Sequence, residues 1–258
     1  MALTFRIEAH GKTDVGRVRQ HNEDRFGCFP ELGLYLVADG MGGHSSGDRA
    51  SQLVVDVSQE LFEQTAAPAE GAPPFEVDRR KSYQENRLVA AVQLANRRLC
   101  ELSEREPMCR GQGSTVAAVS IFDGRAQIAH VGDSRVYRLR RGELEPLTRD
   151  HSLHMEYLQF MPHLTPEEIA AIPKNVITRA IGMNDKLVVD SRSEPLHGGD
   201  VLLLSTDGVH GLVPDRQIAA ILLEHPDPAI AAEKLIEAAL RNGGEDNATC
   251  LVVRVTEG

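Results

Sequence analysis

Apolar positions along this chain follow two rhythms. Short runs rich in Val and Ile at 3–9, 33–38, 114–122, 126–131, 136–140, 187–191, 201–205 and 248–255 have the length and composition of strands. Stretches at 47–64 and 83–106 instead repeat apolar residues at helical spacing, and in the second Leu88, Val92, Leu94, Leu99 and Leu102 sample one broad face. Pro214 and Asp215 open a helix that runs to Leu223; Asp227-Pro228 opens another to Leu240, stopped by Asn242-Gly243-Gly244. Gly124 and Gly142 sit in short links between strands, which predicts two hairpins and therefore antiparallel neighbours. Hairpins and helices arriving in pairs predict an α+β sandwich of antiparallel sheets covered by helix layers, not a doubly wound sheet. The Ala, Pro and Gly-rich stretch at 66–74 reads as a loop between the early helices. Residues 155–174, with a Thr165-Pro166-Glu167-Glu168 helix start and a stop at Pro173, read as an inserted flap of about 152–176 within a single domain of 1–258.

Composition narrows the partners. With 38 Asp and Glu against 28 Lys and Arg, the net charge of -10 disfavours nucleic acid, and no basic run offsets it. Aromatics at 4% and no Trp leave little material for base-stacking platforms and require an aliphatic core. The longest apolar runs are strand-sized, so no membrane span is expected, and Arg6 and Glu8 break any secretory leader. Cys28, Cys100, Cys109 and Cys250 lack C-x-x-C spacing, as expected of reduced cysteines in a cytoplasmic protein.

The candidate chemistry is acidic. Apolar strands run into Asp39-Gly40 and Asp207-Gly208, and Asp246 precedes the last strand. A carboxylate at a strand end is held rigidly at the rim of the core, and the glycine after it brings a backbone carbonyl close to whatever the carboxylate binds. Asp39-Gly40 continues as Met41-Gly42-Gly43-His44, more glycine than a simple turn needs. Oxygen donors without Cys or spaced His pairs specify Mg²⁺ or Mn²⁺. Two such ions ~4 Å apart would activate a bridging water for in-line attack on phosphorus. The run from Thr13 to Asp24 sets Arg17 and Arg19 beside carboxylates, which suits a phosphate clamp and equally a solvated hairpin with surface ion pairs. His44 is a candidate general acid, because imidazole titrates near neutrality; a hydrogen-bonding support is the other reading. His21, His130 and His151 are expected to pack or hydrogen-bond, and the other histidines to lie on the surface.

Eight ordered motifs resemble the metal-dependent protein phosphatases of type 2C, the PPM family, in its bacterial form. They are Asp14-x-Gly16-x-x-Arg19-x-x-Asn22-Glu23-Asp24, Val37-Ala38-Asp39-Gly40-Met41-Gly42-Gly43-His44, Gly113-Ser114-Thr115, His130-Val131-Gly132-Asp133-Ser134-Arg135, Asp150-His151-Ser152, Val176-Ile177-Thr178-Arg179-Ala180-Ile181-Gly182, Ser205-Thr206-Asp207-Gly208 and Asp246-Asn247-Ala248-Thr249. The resemblance spans nearly the whole chain. It implies a four-layer α-β-β-α sandwich, two central antiparallel sheets flanked by helix pairs, with a metal cleft at one edge. It implies hydrolysis of phosphoserine and phosphothreonine in proteins by a hydroxide bridging two Mn²⁺ or Mg²⁺ ions, with no phosphoenzyme. Position by position, Asp39 matches the bridging ligand, Gly40 a carbonyl ligand, and Asp207 and Asp246 the other direct ligands. Asp133 matches a third, weaker metal site, Glu23 and Asp24 match residues that hold metal-bound waters or orient the ligands, and Arg19 matches the substrate-phosphate arginine. Gly211 departs from relatives with Asp or Asn there, which puts the third site in question. The implied partners are phosphorylated proteins and an opposing Ser/Thr kinase, and the enzyme is expected to be a monomer. A phosphoprotein-binding relative without activity and a phosphatase of small metabolites are the alternatives.

Overall fold

The structure is a computed structural model that describes residues 5–42, 46–66, 75–106, 109, 111–161, 163–173 and 176–258. Its strands are β1 (Phe5–Asp14), β2 (Asp24–Phe29), β3 (Leu34–Met41), β4 (Gly113–Ser114), β5 (Val116–Phe122), β6 (Arg125–Val131), β7 (Arg135–Arg140), β8 (Glu143–Pro146), β9 (Asp190–Pro195), β10 (Val201–Ser205) and β11 (Ala248–Glu257). The helices are α1 (Gly47–Gln64), α2 (Tyr83–Arg105), α3 (Leu153–Phe160), α4 (Pro166–Ala171), α5 (Asp207–His210), α6 (Asp215–Glu224) and α7 (Pro228–Arg241). One sheet has the order β1-β11-β10-β7-β8, the other β2-β3-β5-β6-β9 with β4 paired to β3, and every pairing is antiparallel.

Period-two alternation explains how both faces of each sheet are buried. Along β3, Leu34, Leu36 and Ala38 face α1 and α2, while Tyr35 and Val37 point into the space between the sheets. Along β10, Val201 and Leu203 face the C-terminal helices, whereas Leu202 and Leu204 meet Tyr35 and Val37 from the opposite sheet. Three aliphatic cores result, one between the sheets and one under each helix pair, and the layers are α-β-β-α. Truncating Leu202 or Leu204, both fully buried, to Ala would cost ~2–5 kcal/mol.

Both expected hairpins form, and Asp123 with Gly124, and Arg141 with Gly142, take the paired positive φ of a two-residue turn. The flap carries α3 and α4, the latter started by a full capping box between Thr165 and Glu168. The strand expected at 187–191 is corrected to β9, whose register with β6 pairs Ser191 with Ala129 and Ser193 with Gln127. Leu187 and Val189 are apolar because they pack on the core beneath α2, while this edge strand itself is held by main-chain bonds. β2 went unpredicted because Asp24, Arg25 and Gly27 hide any apolar alternation, and β8 was implied only by its hairpin because Glu143 and Glu145 do the same. The loop expected at 66–74 lies outside the described residues from 67 on.

Candidate metal centre

Antiparallel register gathers the acids. Ser205 at the end of β10 pairs with both Arg135 at the start of β7 and Cys250 near the start of β11, and Asp14 at the end of β1 pairs with Ala248. In the other sheet, Asp24 pairs with Asp39 and Val131 with Val116. One rim of the sandwich therefore carries Asp24, Asp39, the β6–β7 turn with Asp133, Asp207 at the head of α5, and Asp246 before β11. Glycine allows the final approach: a Cβ on Gly40 would lie 1.9 Å from the Gly47 carbonyl oxygen, and one on Gly208 1.9 Å from that of Asn247.

These carboxylates crowd one another. Burial, reinforced by Asp24, Asp207, Asp133 and Asp246, holds the Asp39 carboxyl well above its ordinary range. Asp24, fully buried, is pushed to about 7 by burial and by Asp207 and Asp246, despite hydrogen bonds from Thr206 and Thr249. Asp133 is likewise pushed to about 7 by burial and the nearby Asp207 and Asp150, and Asp207 is raised by burial and Asp246. Asp24 Oδ1, Asp133 Oδ1 and Asp207 Oδ1 are buried without a hydrogen-bond partner among the described residues. A nest of anionic oxygens, free of sulfur and imidazole donors among the described residues and short of counter-charge, fits hard divalent cations.

The surrounding residues hold this nest in shape. The Arg19 Nη2 lies 2.7 Å from Asp246 Oδ2, both partly exposed to the cleft, and this bond raises the guanidinium further. Glu23 Oε1 accepts from the Gly47 N–H at 3.1 Å, tying its carboxylate to the N-terminus of α1. Asn247 was quoted only as part of a motif, yet it stitches the site together: Oδ1 accepts from the Glu23 N–H at 2.8 Å and Nδ2 donates to the carbonyls of Val15 and His21, each at 2.9 Å. Thr115 Oγ1 accepts from the Asp39 N–H at 3.1 Å and meets Ser134 Oγ at 2.7 Å, linking the first strand-end acid to the Asp133 turn. Nothing in an isolated hydroxyl residue signals such a link, because it needs both turns in place. His44 lies outside the described residues.

A second cluster lies nearby, where His130 and His151 stack at 4.7 Å and Asp190 Oδ2 is 3.3 Å from His151 Nε2. As expected, these histidines pack and hydrogen-bond. His130 Nε2 meets the Arg149 carbonyl at 2.8 Å, and His151 Nδ1 accepts from the Gly132 N–H at 3.0 Å. Both Nε2 atoms therefore carry protons, and Arg179 Nη1 is 2.8 Å from Asp190. With the His151 Nδ1 lone pair taken by Gly132 and the Arg179 guanidinium in place, this cluster is a poor cation site. One expectation needs correction: His210 is half-buried rather than a plain surface residue. Its ring meets Ser205 Oγ through Nδ1 at 2.9 Å, and burial holds it well below its ordinary range.

The comparisons agree with this geometry. Residues 16–242 match the family described as Protein phosphatase 2C. The chain belongs to the protein phosphatase 2C family. It is 36% identical over 251 residues to the serine/threonine phosphatase stp of Listeria monocytogenes, covering 96% of this chain and 95% of that one. It is 33% identical over 249 residues to the protein phosphatase PhpP of Streptococcus pneumoniae, covering 95% and 96%. The solved catalytic domain of the serine threonine protein phosphatase PstP, in complex with two manganese ions, superposes with a TM-score of 0.83 at 33% identity, covering 98% of this chain and all of that one. The phosphatase described here is thus a metal-dependent protein serine/threonine phosphatase with a dinuclear Mn or Mg centre. Among the described residues of this phosphatase, no helix is long and apolar enough to cross a membrane.

Proposed function

We propose that Asp39, Asp207 and Asp246, with the Gly40 carbonyl, hold the two core ions, that Asp133 contributes to a third, weaker site, and that Glu23 and Asp24 orient the ligands and their waters. The observation that carries this reading is the set of mutually repelling carboxylates at one rim, three with an unpartnered buried oxygen. Bound divalent ions supply Lewis acidity toward both the phosphoryl oxygens and water. Arg19, at the exposed lip of the nest, binds the substrate phosphate, since a guanidinium can offer two N–H groups to two phosphoryl oxygens. His44 stands by to protonate the departing Ser or Thr oxygen. Asp24, dry and protonated more readily than an ordinary carboxyl, holds Thr206 through its Oδ2 at 2.8 Å and so fixes the approach to Asp207.

The substrates are phosphoserine and phosphothreonine in proteins, the enzyme opposes a Ser/Thr kinase as a cytoplasmic monomer, and residues 1–258 form one catalytic domain. The four cysteines, all free, support a reducing compartment. Phosphate release from a phosphopeptide with and without Mn²⁺, set beside a panel of small phosphorylated metabolites, tests the reading. Turnover on phosphopeptides that Mn²⁺ does not stimulate, or faster turnover on a metabolite, would overturn it.

A further inference from the structure

Asp133 differs from its neighbours in how it is aimed. Its side chain is 6% exposed and Oδ1 has no hydrogen-bond partner among the described residues, so little on the carboxylate itself fixes its direction. The direction is inherited from its backbone, and the imidazole of His151 grips that backbone at Gly132.

His151 approaches from the base of the flap. Its main-chain N–H donates to the Gly132 carbonyl at 2.9 Å, and its Nδ1 accepts from the Gly132 N–H at 3.0 Å, so one residue satisfies both polar groups of Gly132. The His151 carbonyl accepts from the Thr178 N–H at 2.8 Å, joining the returning strand of the flap to the same point.

We propose that His151 is a positioning residue that grips Gly132 through both of its polar groups, aims the Asp133 carboxylate at Asp39 and Asp207, and joins the flap to the cation site. The proposal rests on the reading of the acidic nest as that site. It requires an acceptor at the place of His151 Nδ1, which an Asn oxygen can imitate and the longer Gln amide cannot. His151→Asn then preserves the grip, while His151→Gln breaks it.

Mn²⁺ titrations by calorimetry and electron paramagnetic resonance on both variants, with thermal unfolding of each metal-free protein, test this role. His151→Gln is expected to weaken the weakest Mn²⁺ step by ~10-fold or more, as loss of an outer-shell partner does, and His151→Asn by far less. Equal Mn²⁺ affinity in the two variants, whatever their melting temperatures, would overturn the positioning role. Asp39→Asn and Asp133→Asn controls separate the two ideas: unchanged Mn²⁺ binding in both would sink the cation-site reading, while loss in the controls with equal affinity in the two His151 variants would sink the positioning role alone.

Discussion

Two groups of titratable residues lie close together in this phosphatase and have opposite electrostatic characters. Around Asp39 the charges are mostly negative, with Arg19 only at the lip, the pKa values are raised, and buried oxygens lack partners among the described residues. Around His151 the charges alternate: Asp190 sits between Arg179 and the His151 ring, and its pKa falls below the ordinary range because those hydrogen bonds outweigh burial. Burial and the neighbouring His130 and Arg179 lower His151 to about 4, so its ring stays neutral. The acidic nest is incomplete without cations, whereas the His151 cluster completes itself and serves as scaffolding. Clustered ionisable groups therefore mark a cation site only where their charges are left uncompensated.

Breaking the acidic nest has the largest expected effect. Asp39→Asn or Asp207→Asn should reduce Mn²⁺-dependent phosphopeptide hydrolysis to the assay background while circular dichroism shows a cooperative fold; undiminished activity in either would refute the assignment. Arg19→Ala should lower kcat by about 10²-fold, the scale of losing a preorganised donor to transition-state charge, with Mn²⁺ affinity little reduced. Removing the metal should also be visible without turnover. Chelation should lower the melting temperature, and Mn²⁺ at a hundred times its Kd restores about 2.7 kcal/mol per independent site, read by calorimetry.

The sign of the pH response sharpens the comparison further. Asp24 and Asp133 sit at about 7 in the folded, metal-free protein against about 3.9 in an unfolded chain. The folded state holds these protons more tightly, so their contribution is full below about pH 4 and is lost as the pH rises through 7. An Asp24→Asn variant should therefore gain in melting temperature relative to metal-free wild type between about pH 5 and 8, and a pH-independent difference would contradict the shift. The smallest effect belongs to the balanced cluster. Asp190→Asn, at a partly exposed ion pair, should cost ~1 kcal/mol or less in stability and leave Mn²⁺ stoichiometry unchanged.

Helix limits were legible because capping and periodicity are local: α1 spans 47–64 as the pattern predicts, and α7 begins after Asp227, whose carboxylate accepts from the N–H groups of Ala229 and Ile230. The strand-end acids were legible because an apolar run ending in Asp-Gly has few other uses. β9 was misplaced because an edge strand needs backbone pairing more than apolar side chains, and pairing leaves no mark on Ser191 or Ser193. His210 was misjudged for a related reason, since nothing in Val209-His210-Gly211 shows that the Ser205 hydroxyl and Tyr137 will lie against the ring.

Residue types and spacing by themselves determined the layered fold, the choice of hard cations over zinc, and the acids that would hold them, because each depends on short-range pattern and donor chemistry. Tertiary structure alone decided which ionisable groups are left short of counter-charge and which balance one another. Burial and charge balance are sums over elements distant in the chain: Asp24 receives its hydrogen bond from Thr206, and Arg19 meets Asp246, only when both sheets are assembled.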